Sequence, residues 1–481
     1  MKARQARTSL LLMVALAALA LGSGCATTPV PDLVQWKVEQ SNPYMMAGEQ
    51  TEQVVNVDIA ARLPRDLEAH IPFNLSVVID HSGSMNGEQM DDAKNALRYM
   101  LKELRADDQI SVIAFSTQVA VLQPQTEWDD VDQAELTARI SELEPRGTTA
   151  MYEALYQGYT EVTSRYNPSG INRVILLSDG IPNDETNIIS LAQSARSSNI
   201  QITTLGLGPY YNEDLMAQIA DTSGGNYRFV KDSGQIEEYF LAEKRAMEQV
   251  VARNVMLTFN LGPGAELIQT LGGQGNLSGR QVSVYLGDLS VSDPRQVALK
   301  LRIKAPASGA RVEILDAQLS WEDVVAWTGT HDAWAYVEAL ATKDQALIEK
   351  NENKLVVEKV GRLVAAWEME KAVRDFEAGR KVEAQRRLQE AAREYQGQKK
   401  AAQAYRDELR LATPSDAPPA PAPQISGAAS SWDFGDSAGS TDLDVYMEEA
   451  AEGLEDAEPE SDEGKVIIKS AKSRNRKESG Q

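Results

Sequence analysis

A chain of 481 residues with 42% hydrophobic content exceeds a single compact domain and holds enough apolar material for at least one large core. Its net charge of −23 leaves no dominant basic footprint, which argues against nucleic-acid binding and favours cations or basic partners, beside the plain reading of a well-solvated surface. One cysteine and three histidines exclude internal disulfides, thiolate metal clusters and an H-E-x-x-H zinc pattern, and no Walker-type glycine loop supports a nucleotide motor.

Lys2, Arg4 and Arg7 precede an apolar run from Leu10 to Leu21, too short to span a bilayer and shaped like a secretory signal. The small residues Gly22, Ser23 and Gly24 immediately before Cys25 resemble a bacterial lipoprotein signal. That resemblance implies removal of residues 1–24, lipidation of Cys25 and attachment to a membrane of the cell envelope through the lipid anchor. Gly22 departs from the leucine that the family usually places three residues before the cysteine. Ala26, where an aspartate is absent, implies the outer rather than the inner membrane. Residues 25–49, with Pro29, Pro31 and Pro43, read as a tether.

Within 50–72, Val55, Val57 and Ile59 alternate with polar residues and predict a half-buried strand. From 73 to 250 strands and helices alternate. Phe73–Ile79 is a nearly unbroken apolar strand, and Met90, Ala93, Leu97, Met100 and Leu104 recur at helical spacing. Further strands are expected at 110–115, 120–122, 174–177, 202–207 and 227–230, with helices at 134–143, 151–166 and 236–250. Solid apolar strands are buried on both faces, so this is an α/β domain with a doubly wound, mostly parallel sheet. Ligands of such sheets bind beyond the carboxyl ends of the strands.

Three segments fall at that edge. The first strand runs into Asp80-His81-Ser82-Gly83-Ser84, a later one into Ser178-Asp179-Gly180, and Gly147-Thr148-Thr149 opens a helix between them. Two carboxylates and three hydroxyls make a hard, oxygen-only set that suits Mg²⁺, Mn²⁺ or Ca²⁺. Asp80-x-Ser82-x-Ser84, Gly147-Thr148-Thr149 and Leu177-Ser178-Asp179-Gly180 together resemble the metal-ion-dependent adhesion site of the von Willebrand factor type A (VWA) family. The resemblance covers about residues 73–250. It implies that Asp80, Ser82, Ser84, Thr149 and Asp179 hold a divalent metal ion, Mg²⁺ first among the candidates, and that an acidic side chain of a protein ligand completes the coordination. Thr148 stands where glycine is commoner. His81 is read as an exposed or supporting side chain rather than a ligand or general base, since oxygen-only sites need no imidazole. With no general base beside the metal ligands and no nucleophile elbow, the expectation is a binding module and not an enzyme.

Alternating residues continue after this domain: Val255, Leu257 and Phe259; Val282, Val284 and Leu286; Val297 to Ile303; Val312 and Ile314. Residues 251–330 therefore read as a β-sandwich that takes in the strand from 50–72, with the α/β domain inserted, as in integrin β subunits. The last α/β helix should enter the next strand with almost no linker, so that it is either a static join or a slide that tilts the flank. Residues 331–411 read as helical, a hairpin broken at Gly379, with stripes Val356/Val360/Leu363/Trp367 and Val382/Leu388/Ala391/Tyr395. Residues 412–481 read as a disordered tail, acidic from Asp442 to Glu463 and basic from Lys465 to Lys477. The basic end could attach to an anionic envelope polymer. The leading reading is metal-dependent adhesion or assembly in the envelope, and the alternative is a structural scaffold whose helices and tail recruit partners. A third class, a metal-dependent hydrolase, would need catalytic turnover that Asp179→Ala abolishes without unfolding.

Overall fold

The computed structural model describes residues 33–62, 71–183, 185–208, 210–325, 328–411 and 442–479. The signal-like segment, Cys25 and the Pro/Ala/Ser-rich stretch 412–440 lie outside the described residues. In chain order the chain forms β1 (Val34–Gln40), β2 (Tyr44–Met46), β3 (Gln50–Ala61), β4 (Phe73–Asp80), α1 (Glu88–Lys102), β5 (Gln109–Phe115), β6 (Val119–Glu127), α2 (Gln133–Ser141), α3 (Met151–Ser164), β7 (Ile171–Ser178), α4 (Ile188–Ser197), β8 (Gln201–Leu207), α5 (Glu213–Ser223), β9 (Tyr227–Val230) and α6 (Ile236–Glu248). There follow β10 (Val250–Leu261), β11 (Ala265–Leu271), β12 (Gly275–Ser278), β13 (Gln281–Ser290), β14 (Arg295–Lys304), β15 (Arg311–Asp323), β16 (Gly329–Thr342), α7 (Gln345–Lys350), α8 (Lys354–Glu377), α9 (Lys381–Leu411), α10 (Leu443–Asp456) and α11 (Asp462–Ser479).

The α/β domain has one six-stranded sheet, ordered β6-β5-β4-β7-β8-β9, parallel except for β6 at its edge. Every residue of β4, β7 and β8 is buried. Alternate residues serve different cores. Leu75, Val77 and Ile79 pack with Leu97, Ile140 and Phe240 of α1, α2 and α6, whereas Val78, Val174 and Leu176 pack with Leu155, Ala192 and Ile219 of α3, α4 and α5. A strand with apolar side chains on both faces needs a helical layer on each, and the α/β alternation supplies both.

The flanks form two further sheets. One is ordered β1-β3-β14-β11; the other is β12-β13-β10-β15-β16-β2. Strand β3 pairs antiparallel with β14, Val57 opposite Val297, so strands before and after the α/β domain share one sheet. Only Gln249 separates α6 from β10. Helix α6 is also pinned from its side. The buried Glu243 accepts from Thr203 Oγ1 (2.8 Å), from Asn226 and from Arg173, whose guanidinium also reaches Asp288 Oδ2 of β13 (3.1 Å).

Three expectations are corrected here. The tether at 25–49 is structured from Val34, because Val34–Gln40 lies antiparallel on β3 and Tyr44–Met46 pairs with β16. The helical region at 331–411 begins too early. Residues Gly329–Thr342 are strand β16, with Ala335, Val337, Ala339 and Ala341 buried and Trp334, Tyr336 and Leu340 exposed. Alanine favours helix intrinsically, but a period of two let this segment pair along the whole of β15. The disordered tail is corrected over 443–479, where α10 and α11 fold. Their apolar residues Leu443, Met447, Leu454 and Ile468 join Met369, Phe376 and Leu388 of α8 and α9 in one core.

Helices α8 and α9 pack together around the turn at Gly379, whose φ of 75° suits glycine. The first turns of α8 place Val356, Val360 and Leu363 on Leu271 and Ala298 of the flanking sheet. In α9 Leu388, Ala391 and Tyr395 are buried, but Val382 is exposed and does not belong to that stripe. No helix among the described residues is long and apolar enough to cross a membrane.

Candidate functional site: the carboxyl edge of the parallel sheet

Strands β4 and β7 are neighbours, yet the chain leaves β4 for α1 on one face and β7 for α4 on the other. Diverging connections open a crevice beyond their carboxyl ends. Asp80 is the last residue of β4, and Asp179 follows the last residue of β7. The segment carrying Thr149 leads into α3 beside them. Backbone hydrogen bonds tie the loops together: Gly83 N donates to Gly147 O (3.1 Å), Arg146 N to His81 O (2.8 Å) and Asn183 N to Thr149 O (3.0 Å).

All five residues singled out from the sequence converge. Ser82 N donates to Asp80 Oδ1 (2.7 Å), the Ser82 and Ser84 hydroxyl oxygens lie 3.0 Å apart, and Ser84 Oγ donates to Asp179 Oδ1 (2.7 Å). Thr149 joins from the opposite side. A Cβ on Gly180 would fall 2.7 Å from Thr149 Oγ1 and 3.4 Å from Asp80 Oδ2, so a larger residue would displace the Thr149 side chain where the three segments meet. Asp80, Ser82, Thr149 and Asp179 are buried, while Ser84 is open to solvent at the rim.

The electrostatics fit a cation. Burial raises the Asp80 carboxyl above its ordinary value, against hydrogen bonds from Ser178 and Ser82. Burial pushes Asp179 up to about 6, opposed by the Ser84 hydrogen bond and reinforced by the negative charge of Asp80. Two carboxylates taken out of water side by side, held by hydroxyl and amide donors, are stabilised as anions by a hard cation at the point they share. Asp80, Asp179, Ser82, Ser84 and Thr149 are the residues that could hold it.

Sequence reasoning passed over three supporting side chains. Ser178 Oγ donates to Asp80 Oδ2 and accepts from Gly180 N (3.2 Å), locking both carboxylate segments. Asn183 Oδ1 accepts from Thr149 N (3.4 Å) and its amide donates to Thr148 Oγ1 (3.0 Å). Gln89, at the start of α1, lies against the site and donates to Asp179 Oδ2 (3.2 Å) once its amide nitrogen is turned to the carboxylate. Only Ser178 carried a signal, its place in the Leu177–Gly180 run; the other two meet the site through loop packing. His81 points away, its Nδ1 lying 3.0 Å from Glu144 O, and so fixes the loop that delivers Thr149.

Residues 74–242 match the sequence model of the von Willebrand factor type A domain. The chain carries a VWA domain. Among curated relatives it is 29% identical over 244 residues to the uncharacterized protein YfbK of Escherichia coli K12, covering 50% of this chain and 41% of that one. It is 27% identical over 297 residues to the uncharacterized protein sll0103 of Synechocystis, covering 59% of this chain and 69% of that one. The chain thus spans less than half of the E. coli relative. Among solved structures, a von Willebrand factor type A protein from Catenulispora acidiphila superimposes with a TM-score of 0.62 at 19% identity, over 76% of this chain and 88% of that one. At that identity the likeness is one of fold. It extends beyond the VWA segment.

Proposed function

We propose that this protein is a non-enzymatic binding module of the cell envelope, which takes a protein ligand through a divalent cation held by Asp80, Ser82, Ser84, Thr149 and Asp179. VWA domains generally mediate protein–protein interaction. The observation that supports the cation is the meeting of two buried carboxylates and three hydroxyls at one edge, with Ser84 at the open rim. Hard oxygen donors favour Mg²⁺, with Mn²⁺ and Ca²⁺ as alternatives. An ion of this kind, only partly enclosed by protein, would be completed by an acidic side chain of the ligand, in adhesion or in assembly of an envelope complex. The flanking sheets are read as a sandwich into which the VWA domain is inserted, and Cys25 as the lipidated anchor in the outer membrane.

A second reading has its own support. Helices α10 and α11 dock on the rest of the protein, α11 directly on the VWA domain, as a scaffold's would, and the metal would then serve stability alone. Calorimetric titration of the whole protein with Mg²⁺, Mn²⁺ and Ca²⁺ tests the site directly, with Asp80→Ala as control. Saturable heat in the native protein and none in the variant is expected. An affinity capture from envelope extract with Mg²⁺, with chelator and with Asp80→Ala separates the readings. A ligand held only by the metal-loaded native protein supports adhesion, and one held equally in all three supports the scaffold.

A further inference from the structure

Strand β16 puts its apolar side inward and leaves a different chemistry outside. Trp334 is 61% exposed and Tyr336 44% exposed, although both lie in the middle of a 14-residue strand. Directly paired residues of antiparallel strands share a face. Gln318 of β15 therefore stands beside Trp334, Asp316 beside Tyr336 and Ser320 beside Asp332. Glu313 pairs with Glu338 one step further along. Two exposed aromatic rings are thus bordered by four carboxylates, Glu313, Asp316, Asp332 and Glu338, of which Glu338 is paired with Arg311.

The backbone beside this patch is open. Strand β2 covers β16 only from Leu340 to Thr342. Leu340 N donates to Pro43 O on that side (2.9 Å), whereas Ala341 N donates to Ala310 O on the β15 side (2.9 Å). In an antiparallel strand the direction alternates residue by residue. The N–H and C=O groups of Asp332, Trp334 and Tyr336 therefore point to the edge away from β15. Among the described residues no strand pairs there between Gly329 and Val337. An edge of this kind is a template for one more strand.

We propose that the open edge of β16 receives an extended, basic segment of another protein. That segment adds as a strand and lays lysine or arginine side chains over Trp334 and Tyr336, between the four carboxylates. Cation–π contact and charge pairing then act on the same side chains. Charge selects this occupant from the others. A second copy would set identical carboxylates against each other. The chain's own segment 412–441 carries Asp416, Asp433 and Asp436 and no lysine or arginine. Lys469, Lys472 and Arg476 of the basic C-terminal run are held elsewhere, on acidic residues of α5.

The test is titration of the whole protein with a short capped peptide that alternates lysine and valine, followed by calorimetry and tryptophan fluorescence. The controls are a glutamate–valine peptide and a lysine–valine peptide N-methylated along one edge. Saturable binding of the unmodified lysine peptide alone is expected, unchanged by chelator because the metal site is not involved. Trp334→Ala and the pair Asp316→Asn/Asp332→Asn should each weaken it by about tenfold or more. Trp334 and Asp332 are exposed and Asp316 is half-buried, so none belongs to the folded core, and unchanged circular dichroism would show that the variants fold. Absence of saturable binding would overturn the proposal and leave the carboxylates as a guard against edge pairing. Equal binding of the N-methylated peptide, or no effect of Trp334→Ala, would also overturn it, since attraction to surface charge alone would then suffice.

Discussion

At the scale of single residues, Asp179 shows what burying two carboxylates side by side costs. Its carboxyl is pushed from 3.8 up to about 6, chiefly by burial. The folded protein therefore holds this proton more tightly than the unfolded chain does. The stabilisation from that proton is complete below the unfolded value and is lost as pH rises through the folded one. A shift of roughly two units corresponds to about 3 kcal/mol forgone at neutral pH. Asp179→Asn removes the buried charge and keeps an acceptor for Ser84. Thermal denaturation at pH 7 in chelator is expected to show a higher Tm for this variant than for the native protein. Adding Mg²⁺ should raise Tm for the native protein only, and less at pH 5 than at pH 7. A variant that melts lower than the native protein in chelator would contradict this account of the site.

At the scale of elements, helix α11 depends on ionic contacts rather than on apolar packing alone. Lys469 is buried, bonds Glu213 and donates to Tyr211 O (2.8 Å), and lies over the Tyr211 ring. Lys472 reaches Glu213, Asp214 and Glu377, and Arg476 reaches Asp221. The carboxylates of Glu213, Asp214 and Glu377 crowd together, and the Lys472 ammonium among them makes this an ion-pair junction. Burial alone would raise Glu213, but the Lys469 hydrogen bond and charge, then that of Lys472, hold its carboxyl below its ordinary value. This contribution is present above the unfolded value and fades as pH falls through the lowered folded one. In Lys469→Ala/Lys472→Ala, Glu213 stays largely buried without a cation, at a cost of about 1–3 kcal/mol. Hydrogen exchange should accelerate across 462–479 in that variant and stay slow in β4 and β7. Unchanged protection of α11 would show that its apolar contacts suffice.

At the scale of the whole molecule, the flank is closed by strands far apart in the chain. In the sheet β1-β3-β14-β11, β3 pairs with β1 on one side and β14 on the other and, among the described residues, alone links them. Removal of residues 34–61 leaves β14 with β11 alone and uncovers Leu299 and Leu301, both buried in the intact protein. A two-stranded remnant is marginal in water. The VWA sheet makes its own ladders and carries a helical layer on each face. The shortened chain is therefore expected to lose exchange protection in β11 and β14 and to keep it in β4, β7 and β8. Loss of protection in all of them together would mean that the VWA domain needs the flank in order to fold.

The sequence by itself determined the parallel sheet and the positions of the metal-type residues. The reason is local: apolar runs such as Phe73–Ile79 can only be buried on both faces, and Asp80, Ser82, Ser84 and Asp179 follow directly from strand ends. Thr149 lies just before a helix, and it was told apart from Thr148 only by the resemblance to the Gly-x-Thr element of the VWA family. Asn183 and Gln89 were not, because they come to the site only through the packing of loops. Strand β16 was hidden because its inward side is mostly alanine, whose intrinsic preference points to helix until a partner strand is present. The tail was hidden because an acidic block and a basic block look self-sufficient in one dimension. Only in the folded protein does α11 meet Glu213 and Asp221 on a helix some 250 residues earlier in the chain, where largely buried pairing replaces solvation. Contacts of that range depend on which surfaces the fold brings together, and no local pattern encodes them.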